Sequence, residues 1–227
     1  MRADFITYKQ HQVFLNYPFD EDADDLSLAM HFAVIAAGLL PVCAKDLTAP
    51  DRPRIEMLVG AITNCQYSAH DFSRCTGEGT ANLARFNMPV EMGMALFHAL
   101  QNQRRDHRCA FFVAAQHDYR RFASDLAGLD PFQYDSDITV VAQMYEWLRD
   151  TVGAAFIPKP TIEVTEKYQT LINRMARLRG SGRNGRPSHH EAQEIMYQIC
   201  SECEWWDWRA SRAGKLAFPS VPLSWAD

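Results

Sequence analysis

Asp71 and Glu91 are the side chains of this sequence best placed to do chemistry. Asp71 ends the apolar segment YSAHD, and Glu91 lies near the start of a segment with helical periodicity, MPVEMGMALFHAL. We expect Glu91 in the first turn of that helix, where the positive end of the helix dipole favours the ionised carboxylate. Such a carboxylate can act as a nucleophile or stabilise a positive charge. The alternative for Glu91 is a capping role, and Asp71 could equally cap the loop that follows it.

The pattern of apolar residues predicts the elements that would position these carboxylates. Four short segments are apolar throughout, which is typical of parallel strands buried on both faces of a sheet. The predicted strands are 12–16, 39–44, 67–72 and 109–115. The predicted helices, from apolar residues at helical spacing, are 26–37, 55–62, 89–100, 119–126 and 138–152. We therefore predict an α/β fold with a doubly wound parallel sheet of four to five strands in a flavodoxin-like layout.

A second region follows this predicted sheet. Pro158 and Pro160 mark a linker, which predicts an α/β domain at 1–157 and a C-terminal helical extension at 158–227. Apolar residues at helical spacing predict a helix around 164–175. Ser188 with Glu191 three residues later forms a capping box and predicts the start of another helix.

The carboxyl ends of parallel strands share one edge of the sheet, and ligands of open α/β sheets bind there. The residues that follow each predicted strand are therefore candidates for the site. Besides Asp71 and Glu91, they are Asn16, Tyr17, Pro18, Phe19, Lys45, Asp46, Ser73, Arg74, Asn87 and Met88. His70 alternates with Asp71 along its strand, so we expect it to face the other side or the core and to be structural.

The polar segment 73–85 holds Gly77 and Gly79 between Arg74 and Arg85. The two guanidinium groups could together bind a phosphate or another anion. The segment matches neither the phosphate-binding P-loop nor the GxGxxG pattern. The sequence therefore gives no support to an ATPase or to a Rossmann dehydrogenase.

Composition and charge narrow the class of protein. The 227 residues are 47% hydrophobic and carry a formal net charge of −5, whereas a general nucleic-acid binder usually has a basic excess. No apolar run is long enough to span a bilayer, and residues 1–12 have no apolar signal core. We therefore predict a cytoplasmic protein without a membrane segment, and we expect no nucleic-acid partner.

The C-terminal region holds a CxxC pattern and a tryptophan cluster. Zinc sites usually place CxxC in a turn and add a second ligand pair, whereas Cys200 and Cys203 fall in a predicted helix after His189 and His190. We favour two half-buried cysteines on one helical face, and we predict no metal ion. The cluster of Trp205, Trp206 and Trp208 favours docking of the C-terminal helices or a contact in a homo-oligomer.

Three segments carry a resemblance to a known family: FLNYPFD, YSAHDFSR and RFNMPVEMGMALFHAL. Over residues 12–150 they resemble the nucleoside 2-deoxyribosyltransferase-like superfamily, and within it a bacterial group with the pattern FLN-x-PFD, HDxSR and RFNMPxExG. In that superfamily a first strand ends in a Gly-Pro-Phe type turn, a later strand ends in Asp, and a Glu opens a helix. The residues at the matching positions here are Tyr17, Pro18, Phe19, Asp71, Glu91, Gly93 and Ala95. The layout is also similar to that of Toll/interleukin-1 receptor domains, whose enzymatic members cleave NAD with a Glu.

The resemblance implies chemistry at the N-glycosidic bond of a nucleoside, a nucleotide or NAD, each taken as a substrate, with no resident cofactor. Glu91 would stabilise the oxocarbenium-like sugar carbon or attack it to give a glycosyl-enzyme, and Asp71 would orient the base or assist its protonation. Asn16, Tyr17 and Phe19 would line the pocket. The alternatives are a nucleotide-binding sensor without turnover and a self-associating module of the Toll type, in bacterial defence or signalling.

Overall fold

The computed structural model describes residues 12–19, 24–47, 49, 51–73, 86–101, 107–114, 129–152, 159–180 and 187–203. The chain divides into two compact units. Of the described residues, those in 12–19 and 40–135 belong to the first unit, and those in 24–39 and 136–203 belong to the second. The first unit contains every candidate site residue that the structure describes.

The first unit is built around a five-stranded parallel sheet. Its strands are β1 (Gln12–Asn16), β2 (Leu40–Cys43), β3 (Tyr67–Asp71), β4 (Arg108–Ala114) and β5 (Phe132–Tyr134). Their order is β2-β1-β3-β4-β5, which is the order of flavodoxin-like doubly wound proteins. The predicted fold class is confirmed.

The strands are buried or exposed according to their place in the sheet. Val13, Phe14 and Leu15 of β1 are fully buried, and β3 is buried along its whole length. β2 lies at one edge of the sheet. An edge strand tolerates a proline such as Pro41, because proline has no N–H group to donate and an edge strand pairs with a neighbour on one side only. β5 forms the other edge and pairs with β4 in parallel.

Helices connect and follow the strands. In chain order, the α-helices among the described residues are α1 (Asp24–Ala36), α2 (Arg54–Asn64), α3 (Asn87–Gln101), α4 (Asp137–Val152), α5 (Thr161–Gly180) and α6 (His189–Glu202). A 3-10 turn (Ala44–Asp46) follows β2. α1 ends just before Gly38, whose φ of 74° places it in the left-handed region favoured by glycine after a helix.

Within the first unit, α2 and α3 pack against each other and against the sheet. Both contact β1, and α3 also contacts β3 and β4. Phe14 of β1 packs in a buried cluster with apolar side chains of the two helices, Met57, Leu58, Ala61, Ile62 and Ala95. A second cluster joins Met92 of α3 with Phe72, Phe111 and Val113. α3 is therefore fixed across the central strands of the sheet.

The second unit contains α1, α4, α5 and α6. The hydroxyl of Tyr168 in α5 donates a hydrogen bond to the carboxylate of Asp137 at 2.9 Å and lies 3.3 Å from the carbonyl oxygen of Asp25. The predicted capping box is confirmed: the N–H of Glu191 donates to Ser188 Oγ at 3.3 Å, and the N–H of Ser188 donates to the Glu191 carboxylate at 2.7 Å. Two helices, α5 and α6, make up most of the described residues of the predicted C-terminal extension, and the boundary at residue 158 stays a prediction.

The sequence missed one element, β5. The reason is its length of three residues, which is too short for an alternating pattern to be distinguished from a loop. The predicted helix at 119–126 and the cluster of Trp205, Trp206 and Trp208 lie outside the described residues. Within the part of the chain that the structure describes, no helix is long and apolar enough to cross a membrane.

Candidate functional site

The site predicted at the carboxyl edge of the sheet centres on β1 and β3. The chain leaves β1 to form β2 on one side of it, and later forms β3 on the other side. Open α/β sheets have a crevice at the carboxyl ends of the strands where the order reverses in this way. Asn16 and Asp71, the last residues of β1 and β3, therefore lie at that place.

Asn16 ties the end of β1 to the start of α3. Its amide nitrogen Nδ2 donates a hydrogen bond to the carbonyl oxygen of Met88 at 2.8 Å and lies 3.1 Å from Nδ1 of His70. Asn16, Met88 and His70 are all buried. His70 faces the core as predicted, but it is also a direct partner of a site residue, which a purely structural interpretation left out.

Asp71 is fully buried at the end of β3, and three donors point to its carboxylate. The backbone N–H of Ser73 donates to Oδ2 at 2.9 Å, and the Ser73 hydroxyl donates to the same oxygen. The hydroxyl of Tyr134 donates to Oδ1 at 2.7 Å. Since an ionised carboxylate only accepts hydrogen bonds, this environment suits the charged form. Asp71 thus caps the turn after β3 and is held at the edge of the sheet.

Tyr134 is a residue of this site that the sequence analysis missed. It comes from β5, two strands away from β3 in the sheet. The signal in the sequence is the tripeptide FQY between Pro131 and Asp135. The tripeptide does not reveal the pairing with β4. This pairing brings the Tyr134 hydroxyl to Asp71.

The substitution Tyr134→Phe is expected to lower the free energy of unfolding by about 1–3 kcal/mol, because the buried carboxylate of Asp71 loses a donor. Urea unfolding of the two proteins at pH 7 measures the difference. An equal free energy of unfolding would mean that the Tyr134 hydroxyl does not help to hold Asp71.

Glu91 lies in α3, but its electrostatic environment differs from the one predicted. α3 begins at Asn87 and has no acidic residue in its first turn, so Glu91 lies beyond the turn where the dipole acts most strongly. Its side chain is 9% exposed. Burial raises the pKa of this carboxyl from 4.5 to about 7, although the positive charge of Arg54 lowers it. The prediction that the ionised form is favoured is therefore wrong, because removing the charge from water outweighs the attraction.

Tyr17 and Phe19 form an aromatic pair directly after β1. Their ring centroids are 5.0 Å apart and their planes meet at 81°. The ammonium group of Lys45, which follows β2, lies 5.0 Å from the Phe19 centroid and 5.7 Å from the Tyr17 centroid, within the range of a cation–π attraction. The Tyr17 hydroxyl donates to Cys43 Sγ at 3.5 Å. Tyr17 is buried and Phe19 is partly exposed, so Phe19 presents the open ring at this edge.

The structure brings the remaining candidates together in pairs. Asn16 binds the carbonyl group of Met88, and Ser73 binds Asp71. Pro18 is buried between Tyr17 and Phe19, whereas Asn87 is exposed at the start of α3. The Asp46 carboxylate accepts a hydrogen bond from the backbone N–H of Cys43 at 2.8 Å, which closes the 3-10 turn. Arg74, Gly77, Gly79 and Arg85 lie outside the described residues.

The cysteines of the C-terminal pattern are in a helical setting, as predicted. Cys200 is buried in α6, and Cys203 is half-buried at the end of that helix. Burial raises the pKa of the Cys200 thiol far above its ordinary value, and the neighbouring Cys203 adds to the effect. Because the thiolate is the metal-binding form, Cys200 is suited to packing in the core.

Comparison with known proteins adds a distant likeness to solved structures. No model of a protein family matches the chain, and no curated protein matches it. The chain is similar to the solved structure of a CMP N-glycosidase, BcmB, from Clostridium botulinum, with 12% sequence identity and a TM-score of 0.38. The match covers 59% of this chain and 97% of that protein.

The carboxyl groups of Asp71 and Glu91 have different environments. Asp71 is buried among three donors that suit its charge. Glu91 is buried with a pKa of about 7, so it holds and releases a proton near neutral pH. A buried carboxyl group that gains or loses its proton near neutral pH can give acid, base or nucleophilic assistance to bond cleavage.

Proposed function

We propose that this chain cleaves, or transfers at, the N-glycosidic bond of a nucleoside, a nucleotide or NAD. The observation that carries the proposal is the carboxyl group of Glu91, which is buried in α3 and has a pKa of about 7. α3 is tied to β1 through Asn16, so Glu91 is held on a rigid element next to the predicted crevice. A catalytic carboxyl group needs this combination of a fixed position and a tuned charge.

Glu91 acts in its ionised form in this proposal. As the C1′–N bond breaks, its electron pair leaves with the base and the sugar carbon becomes positively charged, as in glycosidases. The ionised carboxylate stabilises that charge, or its oxygen forms a bond to C1′ and gives a glycosyl-enzyme. Water then attacks C1′, the C1′–O bond to Glu91 breaks, and the proton of the water passes to the departed base, or to solvent when the base leaves as a neutral molecule. In a transferase a second base attacks C1′ in place of water and gives up its N–H proton in the same way. A buried carboxylate suits this step, because its interaction with a developing cation is stronger away from water.

Asp71 has a supporting role in this proposal. Both oxygens of its carboxylate accept hydrogen bonds from Ser73 or Tyr134, so it serves better as a fixed acceptor than as an attacking group. A fixed acceptor at the end of β3 can orient the leaving base by accepting a hydrogen bond from its ring or amino N–H. Phe19 and the Lys45 ammonium group next to it offer a stacking surface and a positive charge for the rest of the substrate.

A substrate panel tests the proposal. We expect the purified chain at pH 8 to release the free base from at least one member of a panel of ribonucleosides, deoxyribonucleosides, their 5′-monophosphates and NAD, with and without a second base as acceptor. Chromatography of the released base measures the reaction. The panel includes CMP, the substrate named for the distantly similar solved structure.

The outcomes of the panel separate the proposed function from the alternatives. Unchanged substrate throughout, with folded protein, would contradict the proposal. Calorimetric binding of a nucleotide without release of base would instead favour the sensor. The tryptophan cluster that predicts self-association lies outside the described residues, so the homo-oligomer stays a prediction.

A further inference from the structure

A chain of buried polar side chains runs along β1 and β3 beneath the site. Ser68 Oγ lies 2.9 Å from Nε2 of His70 and 2.9 Å from Nε2 of His107. His107 Nδ1 lies 2.8 Å from the carbonyl oxygen of Cys65, and His70 Nδ1 lies 3.1 Å from Asn16 Nδ2. Each of these four side chains is at most 2% exposed.

The direction of every hydrogen bond in this chain follows from its two ends. A carbonyl oxygen only accepts, so Nδ1 of His107 carries a proton and donates to Cys65. The other end is an amide nitrogen, which only donates, so Nδ1 of His70 accepts from Asn16. His70 therefore carries its proton on Nε2 and donates to Ser68 Oγ, and the single hydroxyl proton of Ser68 goes to Nε2 of His107. Every donor then has an acceptor.

This order fixes the amide of Asn16 as well. One N–H group of Asn16 goes to His70 and the other goes to the carbonyl oxygen of Met88. Both N–H groups of Asn16 are thus used within the protein. A 180° flip of the Asn16 amide would place Oδ1 against the lone pair on Nδ1 of His70. The network therefore allows one orientation of this amide.

The network also touches α3 at a second place. The ring of His107 lies edge-on to that of His98 in α3, with centroids 5.3 Å apart and planes at 69°. Met88 lies in the first turn of α3 and His98 in its last turn. Glu91 lies between these two contacts, so the network borders the helix that carries it.

His70 is neutral in this network. Burial lowers the pKa of His70 from 6.5 to about 3, and the nearby His107 lowers it further. A neutral His70 agrees with the order derived above, since a second proton on Nδ1 would face the N–H group of Asn16. His70 therefore accepts from Asn16 throughout the neutral pH range.

We propose that Ser68, His70 and His107 are positioning residues for Glu91, acting by locking the Asn16 amide between β3 and the first turn of α3. The expected effect on catalysis rests on the proposed function. The expected effect on the position of Glu91 rests on the contacts alone. Buried polar groups that are fully paired specify a single arrangement. A site that depends on the placement of one carboxyl group gains from such an arrangement, because small displacements lower the rate strongly.

Ser68→Ala breaks the network at its central link, between His70 and His107, and leaves Asn16 and Glu91 themselves unchanged. The Nε2 proton of His70 then loses its acceptor, and the proton is free to move to Nδ1. Nδ1–H would face the Asn16 amide and favour its turned orientation, which removes the Asn16 donor from the carbonyl oxygen of Met88. The first turns of α3 then loosen and admit water to Glu91.

Nuclear magnetic resonance and kinetics test the inference together. In the unaltered chain at pH 7, long-range ¹H–¹⁵N correlations are expected to show the proton of His70 on Nε2 and that of His107 on Nδ1. In Ser68→Ala, the pKa of Glu91, followed by ¹³C-labelled glutamate carboxyls, is expected to shift toward 4.5 by about one unit. The kcat is expected to fall about ten- to hundredfold, with KM changed less than about threefold.

Ile62→Val is the matched control. It removes one buried carbon atom from α2, in the cluster around Phe14, and it leaves the network intact. This change typically costs a small amount of stability, so the control is expected to leave the pKa of Glu91 and kcat as they are. It separates the loss of the network from a general loss of packing.

The possible results decide the two proposals separately. A doubly protonated His70, a proton on its Nδ1, or an unchanged Glu91 pKa in Ser68→Ala would overturn the positioning role, even if the unaltered chain cleaves nucleotides. If the unaltered chain cleaves nothing while Ser68→Ala alone shifts the pKa of Glu91, the proposed function fails and the positioning of Glu91 stands. If Ser68→Ala does not fold, the protonation of the two histidines in the unaltered chain decides.

Discussion

Glu91→Gln is expected to lower kcat for cleavage of the N-glycosidic bond by on the order of a thousandfold, the size of effect seen when a charge-stabilising group is removed from an active site. Gln has nearly the shape of Glu, but it has no negative charge to offer the sugar carbon and no oxygen nucleophilic enough to attack it. Steady-state kinetics at pH 8, where Glu91 is mostly ionised given its pKa of about 7, measures the loss. The KM is expected to change much less, because the charge matters most in the transition state.

Glu56→Gln is the control for this change. Glu56 lies in the first turn of α2 and is exposed, so the same loss of one negative charge from the first unit is expected to leave kcat unchanged. If Glu91→Gln retained more than about a tenth of the activity, Glu91 would not be the group that stabilises the transition state.

Glu91→Gln is also expected to stabilise the protein above neutral pH. The pKa of Glu91 is raised in the folded chain, from 4.5 to about 7, so folding favours the protonated form. The stability that Glu91 contributes is complete below pH 4.5 and is lost as pH rises through 7. A shift of this size corresponds to roughly 3 kcal/mol. Gln does not titrate, so the variant is expected to gain up to that amount over the unaltered chain at pH 8 and nothing at pH 4.

Urea unfolding of both proteins from pH 4 to pH 9 measures this difference, and groups that titrate alike in both cancel. A difference that stays constant across this range would show that Glu91 is not buried with a raised pKa in the folded protein. Glu91→Gln would then raise the stability and lower the activity. This pattern is expected where a buried charge destabilises the fold but is needed for catalysis.

The sequence was sufficient for the fold, because the signals for the fold are local. The apolar run of β1, the acidic start of α1, and the capping box of Ser188 and Glu191 each lie within a few residues. The parallel arrangement followed from the absence of alternation in the strands. β5 has only Phe132 and Tyr134 to identify it, and a pattern of that length is ambiguous in any sequence.

The site was less predictable, because its environment is made by residues distant in the sequence. The sequence places Asn16 and Asp71 at the carboxyl ends of two parallel strands, and these ends share one edge of the sheet. The charge state of Glu91 depends on how much water reaches it, which the folded chain decides. Asn16 lies 3.1 Å from His70 on the neighbouring strand β3, and a sequence shows only that His70 alternates with Asp71. The resemblance of three motifs located Glu91, and the structure shows the environment that surrounds it.

Because Tyr134 lies on a short edge strand, the site around Asp71 is expected to form late in folding and to open early in local unfolding. A protein is synthesised from its N-terminus, and Asp71 lacks its Tyr134 donor until the residues of β5 have left the ribosome and paired with β4. In the finished protein, a three-residue edge strand is the kind of element that opens locally before the rest of a domain. Amide protons of β5 would therefore exchange with solvent earlier than those of β3, and each such opening would take the Tyr134 hydroxyl away from the Asp71 carboxylate.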